Sequence, residues 1–179
     1  MRYIITILLV ALSLVACSIP PTASAQRAGH TATVPIATRT APTVAPTQVT
    51  AEAVAEEAEI KDLVENFGMR LQNVSLRAPD AAQEMQKQYA EFVSPTLLET
   101  WMSDVSNAPG RIVSSPWPNR IEITALAKEG PDRYEITGFV VEVTSVEVVN
   151  GGAAAKIPVR VVVQKGQRGW RIIEYTEER

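Results

Sequence analysis

Between Ile60 and Tyr175 the spacing of apolar residues changes from three-and-four to two, and that change limits what this chain can become. Ile60, Leu63, Val64, Phe67, Leu71 and Val74 recur at helical intervals, so they share one face of a helix predicted from near Ala51 to about Asn73. Met85, Tyr89 and Phe92 repeat the spacing after "PDAAQ", where Asp80 stands at the cap and Gln83 at the capping-box position. "SPTLLETWMSD" opens a third helix, with Ser94 as cap, Pro95 at the first helical position, and Leu97, Leu98, Trp101 and Met102 facing inward. Asn107 to Asn119 is rich in proline and reads as a loop, in which "RIV" adds at most a short strand.

Beyond Asn119 the period is two. Ile121, Ile123 and Ala125, then Tyr134 and Ile136, alternate with polar residues, as strands with one buried face require. The parity shifts at Gly138-Phe139, and Phe139, Val141 and Val143 continue in the other phase, which predicts a bulge there. "EGPD" and "KGQRG" read as turns and "NGG" at Asn150 to Gly152 as a hairpin. Ile157, Val159, Val161 and Val163 supply the next strand, and "WRIIEY" supplies the last. Pro158 has no N–H for a ladder, so it belongs at a strand start or an edge. Helices first and strands last define an α+β domain over residues 51–179, with helices on one face of an antiparallel sheet of about four strands.

The first fifty residues have a different character. Arg2 and the terminal amine precede an uncharged apolar run from Tyr3 to Ala16, the layout of a secretory signal. That run is shorter than the roughly 20 apolar residues that a spanning helix needs. It ends in Leu14-Val15-Ala16-Cys17, which resembles the lipobox of bacterial lipoproteins. The resemblance implies cleavage of residues 1–16 between Ala16 and Cys17, and a diacylglyceryl thioether on Cys17, because only a sulfur nucleophile forms that bond. Each buried methylene adds about 0.8 kcal/mol, so two or three acyl chains hold a protein on the membrane. The implied address is the extracytoplasmic side of a cell membrane, lipid-anchored. Cys17 is the single cysteine, so no intrachain disulfide supports the fold.

Residues 17–50 continue as the lipidated cysteine and a Pro/Thr/Ala-rich tether, with Pro20, Pro21, Pro35, Pro42 and Pro46 and no hydrophobic period. Such a composition cannot offset chain entropy by burial. A coil of that length has an r.m.s. span of roughly 30 Å. His30, the only histidine, falls in the tether and reads as a solvated bystander.

The order of a long first helix, then "YAEFVSPTLLETW", then strands ending in "GWRIIEY" resembles the NTF2-like (cystatin-like) superfamily over about residues 52–177. It is similar in particular to the small NTF2-like domains of bacterial envelope lipoproteins of unassigned role. The resemblance implies a bent sheet wrapping the first helix into a cone. In enzyme branches of that superfamily the open end of the cone carries Asp, His or Tyr for proton transfer.

This domain has neither histidine nor cysteine, and no pair of carboxylates falls on strand positions that face inward. Glu135 alternates out of phase with Tyr134 and Ile136 and points to solvent. A hydroxyl-plus-acid site would have to draw on Tyr134, Tyr89 or Asp104. The charged run Glu56, Glu57, Lys61, Asp62, Glu65 and Arg70 reads as a solvated helix face, without the His or Cys ligands of a metal centre. No catalytic residue, metal or cofactor is assigned.

Aromatic residues make the better candidate surface. Trp101, Trp117 and Tyr134 fall where the cone opens and would suit a ligand cleft or an interface. The same residue type also serves as packing, which is the alternative for Trp101 and Trp170.

Charge narrows the partners. Arg2, Arg27 and Arg39 are the only charged side chains before residue 51, and removing these three from 17 basic residues leaves 14 against 20 acids, a net charge of −6. Nucleic acid, which binds through Lys and Arg clusters, is therefore not an expected partner. The expected contacts are the membrane through the lipid anchor, and another envelope protein or a second copy. The order of readings is an interaction domain, then a carrier of a small apolar ligand in the cone, then an isomerase-like or dehydratase-like enzyme.

Overall fold

The computed structural model describes residues 50–178; the signal 1–16, Cys17 and the tether to residue 49 lie outside the described residues. Within the unit Pro46–Arg179, helix α1 (Ala51–Arg70) leads into a 3-10 turn, Leu71–Asn73, and helices α2 (Ala81–Tyr89) and α3 (Pro95–Ser103) follow. Strands β1 (Trp117–Gly130) and β2 (Arg133–Val143) come next, then helix α4 (Ser145–Asn150), and strands β3 (Ala155–Gly166) and β4 (Gly169–Glu177) close the chain. The strands form one antiparallel sheet in the order β1-β2-β3-β4. This is the α+β arrangement of helices on a curved antiparallel sheet that the resemblance implies. Helix α1 touches both edge strands, β1 and β4. One helix reaches both edges of a four-stranded sheet because the sheet curls around it.

The helix starts follow from cap chemistry. Ser94 accepts from the N–H of Leu97 with Pro95 behind it, as the sequence predicts, and at the start of α1 Thr50 accepts from that of Ala53. Asp80 departs from expectation, since its side chain makes no cap hydrogen bond. Its carbonyl instead receives the N–H groups of Gln83 and Glu84. Ile60, Val64, Phe67, Leu71 and Val74 are all buried, and Leu63 is half-buried.

The sheet corrects three sequence readings. The "NGG" signal is not a two-residue hairpin: Thr144 and Glu147 form a reciprocal capping box that starts α4, and Gly151, at φ 79°, ends it. The bulge falls on the neighbouring strand, where Ile123 pairs with Gly138 but Ala125 pairs with Thr137. Thr124 is the extra residue, its hydroxyl donating to the Thr137 carbonyl at 3.1 Å, so Ala125 turns outward and Leu126 takes the inner face. On β2 the inward parity runs unbroken through Tyr134, Ile136 and Val140, leaving Phe139 on the outer face. Pro158 lies inside β3, opposite Phe139, at the point where β4 ends and the Pro158 carbonyl accepts from Glu178. "RIV" contributes one bridge, Arg111 to Ser75.

The outer face of the sheet is held by charge. Glu135, Val162 and Glu174 stand in one row across β2, β3 and β4. Arg160 reaches Glu135 at 2.6 Å and Glu174 at 3.3 Å, and Arg133 reaches Glu174 at 2.9 Å and Glu129 at 2.8 Å. Val162 is fully buried although its parity points outward, between the two carboxylates that Arg160 bridges. The two guanidiniums, Arg133 first, hold the Glu174 carboxyl below the usual carboxylate range.

Candidate functional site

The middle of the cone, between α1 and the sheet, is packed with aromatic rings. Phe67 on α1 stacks on Trp101 at 6.1 Å and meets Tyr89 at 5.2 Å and Tyr175 at 5.7 Å edge-on. Trp101 also meets Tyr89 at 6.1 Å and Tyr175 at 5.9 Å, so α1, α2, α3 and β4 are joined ring to ring. Each such pair is worth about 0.5–1.5 kcal/mol beyond its area. Trp101 is 5% exposed and Tyr134 1%, so neither presents a surface. Tyr134 lies under Trp170 at 5.5 Å, with the Lys128 ammonium 5.1 Å from its ring centre. Only Trp117 of the three aromatic candidates is half-buried, at the start of β1 opposite Val143. Trp101 and Tyr134 have different ring partners, so the three do not form one patch.

A cleft of about 280 Å³ opens at the end of β4, lined by Leu76, Pro109, Gly110, Ile112, Tyr175 and Glu177 among others. The β3–β4 register carries Tyr175 opposite Val161 and Glu177 opposite Val159, both on the inner face. A bulge between Val162 and Val163 sets that phase. The Tyr175 hydroxyl donates to the Glu177 carboxylate at 2.6 Å. Sequence reasoning missed this pair because an unbroken alternation from Trp170 and Ile172 assigns Tyr175 to the other face. The double isoleucine, Ile172-Ile173, was the available sign of a change in phase.

Asp104 and Tyr89 shape the lip of this cleft. Asp104 is exposed and accepts from Ser106 and from Asn107, each at 2.6 Å, and those two hydrogen bonds hold its carboxyl below the usual range. It ties the turn 104–107 in place. The fully buried Tyr89 donates its hydroxyl to the Pro109 carbonyl at 3.0 Å, and burial, then the nearby Glu177 charge, pushes its phenol well above the usual value. The cleft can therefore offer a carboxylate hydrogen-bonded to a phenol, while the Tyr89 phenol is buried behind its wall and does not line it. Among the described residues no group of three or more His, Cys, Asp or Glu side chains is placed to hold a metal ion.

The Tyr89 shift has a measurable sign. A phenol that ionises only in the unfolded chain leaves stability intact below its unfolded value near ~10 and withdraws it as pH rises above that. The unfolding free energy in urea should fall between pH 9 and 11 more steeply for the wild type than for Tyr89→Phe. Parallel curves for the two proteins would contradict the assignment.

Comparison with protein-family models gives no match, and none is found among curated proteins. Solved structures give low-level similarity. A five-substitution variant designated Rd1NTF2_05 is 14% identical, over 69% of this chain and 99% of its own, with a TM-score of 0.37. The intermembrane space region of the chloroplast protein ARC6 is 14% identical, over 70% of this chain and 95% of its own, with a TM-score of 0.38. At that identity and those TM-scores the two say nothing of activity or partner, and the fold description stands on the strand order and helix packing above.

Proposed function

We propose that this chain is a bacterial envelope lipoprotein, held by Cys17 on the extracytoplasmic face of the cell membrane, whose NTF2-like domain is an interaction module. The observation that carries the second half is the filled cone. Phe67, Tyr89 and Trp101 fill the middle of the cone ring to ring, and what stays open is the cleft of about 280 Å³ beside Tyr175 at the end of β4, so contacts with a large partner fall chiefly to the outside of the domain. The first half draws on the lipobox and the apolar run before it. A roughly 30 Å tether would leave the domain free to meet another envelope protein while confined to the membrane surface, which raises the local concentration of both.

Intact mass of the product recovered from membranes tests the anchor. The expected species begins at Cys17 and carries acyl chains, and Cys17→Ser abolishes both the acylation and the cleavage. An unacylated chain with another first residue, released to the medium, would overturn the anchored reading.

A further inference from the structure

The cations of this acidic domain are mostly neutralised where they stand: on α1 and across the sheet, lysines and arginines lie within reach of carboxylates. Lys165, Arg168 and Arg171 depart from that pattern. None of the three is in an ion pair among the described residues, and all three line one cleft of about 500 Å³ at the β3–β4 turn. Its apolar wall is Pro95, exposed at the first turn of α3, and the half-buried Ile173 on β4. No acidic side chain lines it. Arg168 and Arg171 also border a neighbouring hollow, but Glu91 there is paired with Arg70, and Glu59 and Asp62 make no ion pair with either arginine. The positions are not freely wandering: Arg171 donates to the Trp170 carbonyl at 2.9 Å, and the Lys165 ammonium lies 5.5 Å from the centre of the Trp170 ring.

Three like charges around one concavity repel one another, and an anion in their midst relieves that repulsion. Guanidinium forks match the paired oxygens of a carboxylate or phosphate. The apolar wall gives nothing to a bare anion but buries a hydrocarbon body at about 25 cal/mol per Å². We propose that this cleft is a binding site for an amphiphilic anion, a carboxylate or phosphate carried on an apolar chain. The anionic group lies among Lys165, Arg168 and Arg171, and the chain lies along Pro95 and Ile173. The proposal deepens the reading of a domain that works through its surface, and rests on it.

The test is calorimetric titration of the chain beginning at Cys17, its thiol blocked, with dodecanoate and dodecyl phosphate below their micelle concentrations. The expected result is one-to-one binding that the Arg168→Gln/Arg171→Gln double variant weakens at least tenfold. Inorganic phosphate should bind at least a hundredfold more weakly, and dodecyltrimethylammonium should not compete. Co-sedimentation with phosphatidylglycerol vesicles, weakened by the same variant, would support the site and identify a lipid headgroup as the source of the anion; binding of the free amphiphile alone would support it with a soluble source. No binding by either probe would overturn the cleft and leave the surface reading standing. Dodecanoate that binds equally well to the double variant but perturbs the Phe67 and Trp101 ring resonances would overturn both, because the ligand would then be in the cone. Preference for hexaglutamate over the amphiphiles would overturn the proposal in favour of an acidic peptide.

Discussion

Phe67→Ala is expected to destabilise the domain by about 3–5 kcal/mol, the range for truncating a buried aromatic residue. Phe67 is fully buried and its ring meets those of Tyr89, Phe92, Trp101 and Tyr175. Its removal leaves a void bounded by four other rings, whose backbones belong to different elements and cannot all close on it. Domains of this size are stable by roughly 5–15 kcal/mol, so the variant loses a large share of its stability. Its melting temperature should fall by roughly 10–20 °C. Calorimetric or urea unfolding of both proteins measures it, and a loss under about 1 kcal/mol would mean that the rings do not pack as described.

Gly68→Ala tests the opposite fault at the adjacent residue. On helix propensity alone the change should stabilise, by about 1 kcal/mol. A Cβ at that position would stand 2.5 Å from the Ile121 backbone nitrogen and 2.9 Å from its Cγ1, closer than real Cβ contacts come. Backbone cannot step aside as a side-chain tip can, so α1 must lift away from β1. Overpacking of this sort costs about 1–3 kcal/mol, more than the helix gains. The expected outcome is a net loss of stability from a substitution that a helix-propensity argument would call favourable. Gly130→Ala is the control, since nothing lies within 4 Å of its added Cβ. Stabilisation by Gly68→Ala would show that α1 and β1 are not in close contact there.

The legible and illegible parts of this fold divide along a physical line. Helices α1 and α3 could be read because periodicity and capping are local: Ile60 to Val74 repeat at helical spacing, and Ser94-Pro95 marks a start without reference to the rest of the chain. Strand phase resisted because a bulge is a property of two strands together. Val141 and Val143 suggested a slip in β2, yet the irregularity belongs to β1 at Thr124, and the valines are buried on the other side of the sheet. Helix α4 was legible and was overlooked, since Thr144 and Glu147 hold capping-box spacing immediately before "VVNGG". Asp80 shows the reverse, a favourable cap residue whose side chain is not used because the preceding turn places its carbonyl there instead.

The same division governs the candidate site. Composition correctly located the large aromatic residues but not their depth: Trp101 and Tyr134 became packing, which residue type alone does not distinguish from display. The Tyr175–Glu177 pair faces inward only after the β4 phase changes, and the cationic cleft joins residues 90–95 with residues 164–173. The second grouping does not exist until the sheet edge meets the α2–α3 linker, through the pairing of Val93 with Ile172.

Crystals of the domain under xenon pressure would probe the claim of a closed interior most directly, because xenon enters apolar cavities that water leaves empty. The wild type should show no xenon among Phe67, Tyr89, Trp101 and Tyr175, whereas Phe67→Ala should show one site there. A xenon atom inside the unmodified cone would contradict the account and return the domain to the class of carriers.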